Sequence, residues 1–181
     1  MIKFLPILFF LASLRVGAQS IYTVKEGEIS FYSEATLENI EAHNKNIHAL
    51  LNIATRELAF IVPVRNFNFK KALMQEHFNE KYLESDKFPT ATFKGKINET
   101  IDFSRDGETQ ATASGKLTIH GVEQSVTCPG KVLIENGEII MHSDFNVLLK
   151  DYNITIPRVV FQNIAETIAV KINIKYTPYK K

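Results

Sequence analysis

Between Ala111 and Ile119 the chain alternates without interruption. Ala111, Ala113, Gly115, Leu117 and Ile119 take one face, and Thr112, Ser114, Lys116 and Thr118 take the other. A sustained period of two is the mark of a strand with one buried face. That face is apolar yet short of bulk, because alanine and glycine fill little of the space in front of them. A sheet closed into a barrel needs such a face if it is to hold a greasy guest. The same residues also suit a solidly packed core, so the pattern favours carriage over catalysis without excluding a filled barrel.

The rest of the chain keeps the same rhythm. Ile29 and Phe31 begin it within Glu28 to Ser33, and Ile47, Ala49, Leu51 and Ile53 repeat it. Leu58, Phe60, Val62 and Val64 form another face, as do Ala91, Phe93, Gly95 and Ile97. Val126, Cys128, Val132 and Ile134 follow the His120-Gly121 turn. Asn136-Gly137 is the strongest hairpin signal, since both residues tolerate positive φ. Met141, Ser143, Phe145 and Val147 lie beyond it, and Ile168, Val170, Ile172, Ile174 and Tyr176 close the series. One segment departs from the period: Phe69, Leu73, Met74, Phe78 and Tyr82 recur at helical spacing, which predicts a helix over 68–83 capped by Asn66 or Asn68. Hairpin-spaced strands with one inserted helix predict an antiparallel β-barrel of about eight strands, closed because long alternating strands leave costly open edges.

Residues 1–18 are read as an export signal rather than as fold. Lys3 precedes the apolar run Phe4 to Leu14, and Val16-Gly17-Ala18 offers small residues for cleavage. Residues 19–181 then form one domain, expected in the periplasm or outside the cell. The formal charge of +1 gives no basic excess for a nucleic-acid surface. Cys128 is the one cysteine, which rules out an intramolecular disulfide, and its phase with Val126 and Val132 places it inside.

The histidines do not assemble a catalytic or metal site by spacing. His142 and Asp144 share a strand face, but that face points to solvent, and His43 and His48 are poorly spaced for a metal. His77 lies beside the helical stripe and His120 at a turn. No phosphate loop, nucleophile elbow or haem motif is present. No cofactor, metal or catalytic residue is expected.

Two blocks carry a resemblance. Lys87-Phe88-Pro89-Thr90-Ala91-Thr92-Phe93-Lys94-Gly95, followed by Ala113-Ser114-Gly115-Lys116-Leu117-Thr118-Ile119-His120-Gly121-Val122, closely resembles the YceI-like family. Asp151-Tyr152-Asn153-Ile154 through Pro157, then Ile168 to Ile174, look like that family's closing region, so the likeness covers most of Ile21 to Thr177. It implies an exported, lipocalin-like barrel that binds a long isoprenoid or similar amphiphile in an apolar pore, and members that commonly pair as homodimers. The stretches Tyr22 to Phe31 and Ile40 to Lys45 depart from the family pattern, with only Ser30-Phe31 retained, which leaves the ligand's head open.

On this reading a lipid tail lies along Phe31, Leu51, Phe60, Phe93, Ala111, Ala113, Leu117, Phe145, Val147 and Ile172. Arg65, Lys150 and Arg158 stand near strand ends or loops, where a charged head would find donors. Two other classes stay open: an enzyme acting on a lipid or quinone-like substrate inside the cavity, and a solid-core envelope protein that binds a partner.

Overall fold

The computed structural model describes residues 20–34, 39–156 and 164–180. The expected export signal and Arg158 lie outside them. Ten strands run in the order β1 (Ile21–Ser33), β2 (Ile40–Asn44), β3 (His48–Asn52), β4 (Glu57–Pro63), β5 (Asn68–Phe69), β6 (Thr90–Ile97), β7 (Gly107–Ile119), β8 (Val122–Glu135), β9 (Glu138–Leu148) and β10 (Thr167–Pro178). A short helix, α1 (Ala72–His77), stands between β5 and β6 and continues as a wider π-helical turn, Phe78–Tyr82.

Every neighbouring pair is antiparallel, and β10 returns to β1, so β1, β3, β4, β6, β7, β8, β9 and β10 close into an eight-stranded barrel. The expected architecture is therefore the observed one. β1 is long enough to serve three partners: Ile21–Thr23 pair with β3, Ile29–Ser33 pair with β2, and β10 follows it along nearly its whole length. Its first half was not legible as strand, because a bulge between Val24 and Glu26 interrupts the alternation there. Both hairpin turns hold positive φ at their two central residues, His120-Gly121 at 51° and 74° and Asn136-Gly137 at 51° and 76°. That geometry matches the right-handed twist of the strands they join.

The lower end of the barrel is packed shut. Leu51, Ile134, Ile139, Ile174 and Tyr176 are almost fully buried there, on paired or neighbouring rungs of β3, β8, β9 and β10. Leu51 thus belongs to this floor: it is fully buried, with Tyr22 and Leu58 beside it in the ladder, and does not border the cavity above. At the upper end, Val64, Leu83, Val147, Tyr152 and Ile154 form a second cluster joined by Phe78 and Tyr82.

The helix is shorter than its stripe suggested. Asn68 and Phe69 pair with His43 and Ala42 as β5, and the N-cap position of the helix is Lys71, where no side chain caps the first turn. Asn66 and Asn68 therefore do not cap it: Asn68 Nδ2 donates to the Asn66 carbonyl at 3.1 Å instead. Extended backbone wins at Phe69 because its ring completes an aromatic cluster with Phe31, Phe67 and Phe78. Nearby, Asn44 is fully buried yet satisfied. Its Nδ2 donates to Pro63 O at 2.9 Å and its Oδ1 accepts from Asn46 N at 2.8 Å.

Candidate functional site

Above the floor the barrel is hollow. A cavity of about 490 Å³ occupies its middle and upper part, within the range of pockets that hold small organic ligands. Phe31, Phe60, Phe93, Ala111, Ala113, Leu117, Phe145, Val147 and Ile172 all line it. The period of two placed them there: each lies in phase with a buried neighbour on its own strand. Leu51 does not line it, for the reason given above.

The small-residue row has two uses. Ala111 and Ala113 leave open space, but Gly115 does not border the cavity. Gly115 pairs with Gly95 across β6 and β7, and a Cβ on Gly115 would stand 2.3 Å from the Lys94 carbonyl oxygen and 2.5 Å from Gly95 Cα. The Phe93 ring, in turn, lies where a side chain on Gly95 would be. Here glycine serves close packing of backbone and ring.

The upper wall is aromatic. Phe31 and Phe78 stack at 5.4 Å, Phe31 and Phe67 meet at 5.2 Å, and Phe69 and Phe78 meet at 5.0 Å. The helical stripe faces this space: Leu73, Met74, Phe78 and Tyr82 line the cavity, and Leu73 remains 61% exposed. None of the residues in α1 is buried. The stripe therefore borders the cavity and its opening. Phe67, Met141, Ile168 and Val170 also line the site and were not singled out beforehand. For Met141, Ile168 and Val170 the signal was present in the strand phase; Phe67 sits in a connection, where no period points inward.

The polar candidates sit elsewhere. Arg65 is exposed and engaged, its Nε donating to Ser85 Oγ at 3.2 Å and its Nη2 to Asp86 Oδ1, and it does not border the cavity. Lys150 is exposed in a 3-10 turn, Leu149–Tyr152, and does not border it either. Both stand at the rim, each next in the chain to a residue that borders the cavity, Val64 and Leu149. Cys128 does line the cavity, and burial pushes its thiol up to about 11. Burial likewise pushes the Tyr152 hydroxyl up to about 12. Such groups stay neutral at physiological pH and suit an apolar wall.

His120 ties three upper segments together. Its Nε2 is 3.0 Å from Glu84 Oε2, its Nδ1 is 3.2 Å from the Tyr152 carbonyl, and its ring meets Phe88 edge-on at 4.5 Å. Hydrogen bonds from Lys87 and then His120 hold the Glu84 carboxyl below its usual range. The arrangement braces the three segments. His142 Nδ1 meets Asn173 Oδ1 on the outer face, and His43 lies 3.0 Å from Glu28 and 3.2 Å from Glu41. Among the described residues no group of three histidine, cysteine or acidic side chains is placed to hold a metal.

The architecture recurs in solved structures. A polyisoprenoid binding domain from Saccharophagus degradans aligns with a TM-score of 0.74 at 14% identity, over 87% of this chain and 98% of its own. BcnA from Burkholderia cenocepacia aligns with a TM-score of 0.71 at 18% identity, over 83% of this chain and 96% of its own. A YceI protein from Campylobacter jejuni gives 0.63 at 17%, over 82% and 90%. No curated protein sequence matches the chain. At these identities the structural likeness speaks for the fold alone, whereas the sequence model of the YceI-like domain matches residues 20–176. With that match running through the barrel from its first strand into its last, the chain belongs to the YceI-like family.

Proposed function

We propose that this protein is an exported carrier that sequesters the hydrocarbon chain of an amphiphile, a polyisoprenoid or a similar lipid, without making or breaking a bond. The observation that carries the reading is the cavity itself: a hollow barrel with a packed floor and an apolar, largely aromatic upper wall. The Saccharophagus relative of the same fold, described as a polyisoprenoid binding domain, supports the ligand class. Each buried methylene contributes about 0.8 kcal/mol, so about ten of them give some 8 kcal/mol before the costs of ordering and association. A chain of lipid length therefore has enough driving force for useful affinity, while a short alcohol does not.

The strand rows expected to line the cavity are apolar, while His77, Tyr82, Cys128, Lys131 and His142 also border it. At the helical end, burial raises the Tyr82 hydroxyl above the usual tyrosine range. Carriage is therefore the simpler reading than catalysis. Export and assembly as a homodimer form part of the same proposal. The test is native mass spectrometry of the protein purified from its own cell envelope, followed by solvent extraction. A lipid-sized adduct that is released intact is expected. An empty barrel that also fails to take up long-chain lipid from vesicles would overturn the proposal, as would recovery of a chemically altered lipid after turnover.

A further inference from the structure

Along the seam between β8 and β9 the ladder of the barrel wall stops part-way. β8 pairs with β7 over its length, and β9 pairs with β10 from Ile139 to Leu148. Between themselves, however, β8 and β9 pair only where Gly130–Glu135 meets Glu138–Ser143. Above that point, Val122–Pro129 and Asp144–Leu148 face each other without a ladder.

Local chemistry accounts for the break. Pro129 has no N–H to donate and is tolerated at a strand edge. The Ser143 hydroxyl donates to the Pro129 carbonyl at 2.6 Å, at the point where pairing stops. One residue below, β8 and β9 are in tight contact, since a Cβ on Gly130 would lie 2.3 Å from the His142 carbonyl oxygen. At the top, Gln124 Nε2 donates to Asp151 O at 2.7 Å and fastens the 3-10 turn across the gap. The seam is therefore a window with a sill and a lintel.

The cavity reaches both sides of that window, through Cys128 and Pro129 on β8 and Phe145 and Val147 on β9. Outside it lies a second depression of about 420 Å³, bordered by Pro129, Gly130 and Ser143 with Thr112, Lys131 and His142. Lys131 donates to Glu108 at 2.9 Å, Glu99 accepts from Thr112 N at 2.7 Å, and Asp144 stands opposite Lys171 in the ladder. Beside these side chains the seam offers hydroxyl groups and the backbone N–H and C=O groups of two unladdered strand edges. Such a lining both donates and accepts, without a cation cluster of the kind a phosphate requires.

We infer that this seam is a lateral port, in which the polar end of the bound amphiphile lies between β8 and β9, and that the head is uncharged: an alcohol, phenol or amide. The inference rests on the carrier reading above and adds where the head sits and what it is. It moves the head away from the rim cations Arg65 and Lys150.

The experiment uses the full chain with Cys128→Ala and one introduced cysteine carrying acrylodan. Thr127→Cys reports the seam, Arg65→Cys the rim, and Ile61→Cys on β4 the opposite wall, all at exposed positions. Ser125→Cys, exposed on the same strand edge, replaces Thr127→Cys if that variant does not fold. The probe is a palmitoyl amide of TEMPO, whose nitroxide quenches nearby fluorophores and whose spin spectrum separately reports immobilisation. Immobilised probe with loss of fluorescence at the seam position, and little at the other two, is expected. Immobilised probe that quenches the rim position, or all three equally, overturns the port and leaves the carrier reading standing. Probe that is never immobilised removes both. For the head, hexadecanol is expected to displace the probe at a concentration about tenfold below that needed for hexadecyl phosphate, because burying an unmatched charge is costly. Equal or stronger displacement by the phosphate overturns the uncharged head.

Discussion

Tyr176 places its hydroxyl in the barrel floor with no hydrogen-bond partner among the described residues, and burial drives its ionisation far above the usual tyrosine range. An unpaired buried hydroxyl costs about 1–3 kcal/mol, so Tyr176→Phe should leave the unfolding free energy unchanged or raise it by about 1 kcal/mol. Denaturant melts of the two proteins decide this, and a clear loss of stability in the variant would contradict it. Gly115 makes the opposite case. Its missing Cβ is what lets β6 and β7 approach, and Gly115→Ala should destabilise by about 1–3 kcal/mol because the obstacle is backbone and cannot swing aside. Cys128 gives a chemical readout of the cavity wall. With its thiol pushed up to about 11, iodoacetamide should modify it far more slowly at neutral pH than a free cysteine, and the rate should climb as pH approaches that value. Modification at the free-thiol rate in the folded protein would mean the wall is wet.

At the scale of elements, the connection from α1 to β6 hangs on Glu84, which joins Lys87 and His120. Because both bonds lower the folded carboxyl below its unfolded value, their contribution is complete above the ordinary glutamate range and is lost as pH falls through the lowered value. Acidification across that window should therefore speed hydrogen exchange in 72–88 more than in β7, and Glu84→Gln should speed it already at neutral pH. Exchange that is uniform across the barrel would argue against a local brace. The strands themselves were readable from their period of two wherever one face met the core and the other met water. β2 and β5 were not, because they are short and owe their extended shape to the upper half of β1 and to the aromatic cluster. The helix was readable in kind but not in extent: its stripe runs on through Phe69, whose ring is drawn into extended backbone by Phe31 and Phe78. Of the ligand surface, the strand rows were legible and the break between β8 and β9 was not, since alternation continues unbroken through both strands while their pairing stops.

For the whole molecule, the decisive quantity is the volume left unfilled. Ala113 borders the cavity midway between floor and rim, opposite Ile97 and Cys128 in the ladders. Ala113→Phe should occupy ligand space without touching the floor, so lipid recovered from the purified protein should fall sharply while the melting temperature changes little. Undiminished lipid content would show that the guest does not lie against this wall. The packed floor has its own implication for cargo. A blind tube gauges what is put into it: the tip of a chain can descend only to Ile97 and Met141, so the number of carbons decides how high the other end stands. Homologous chains differing by one isoprene step would then be ranked by whether that end meets a polar neighbour, stops short of it, or protrudes into water.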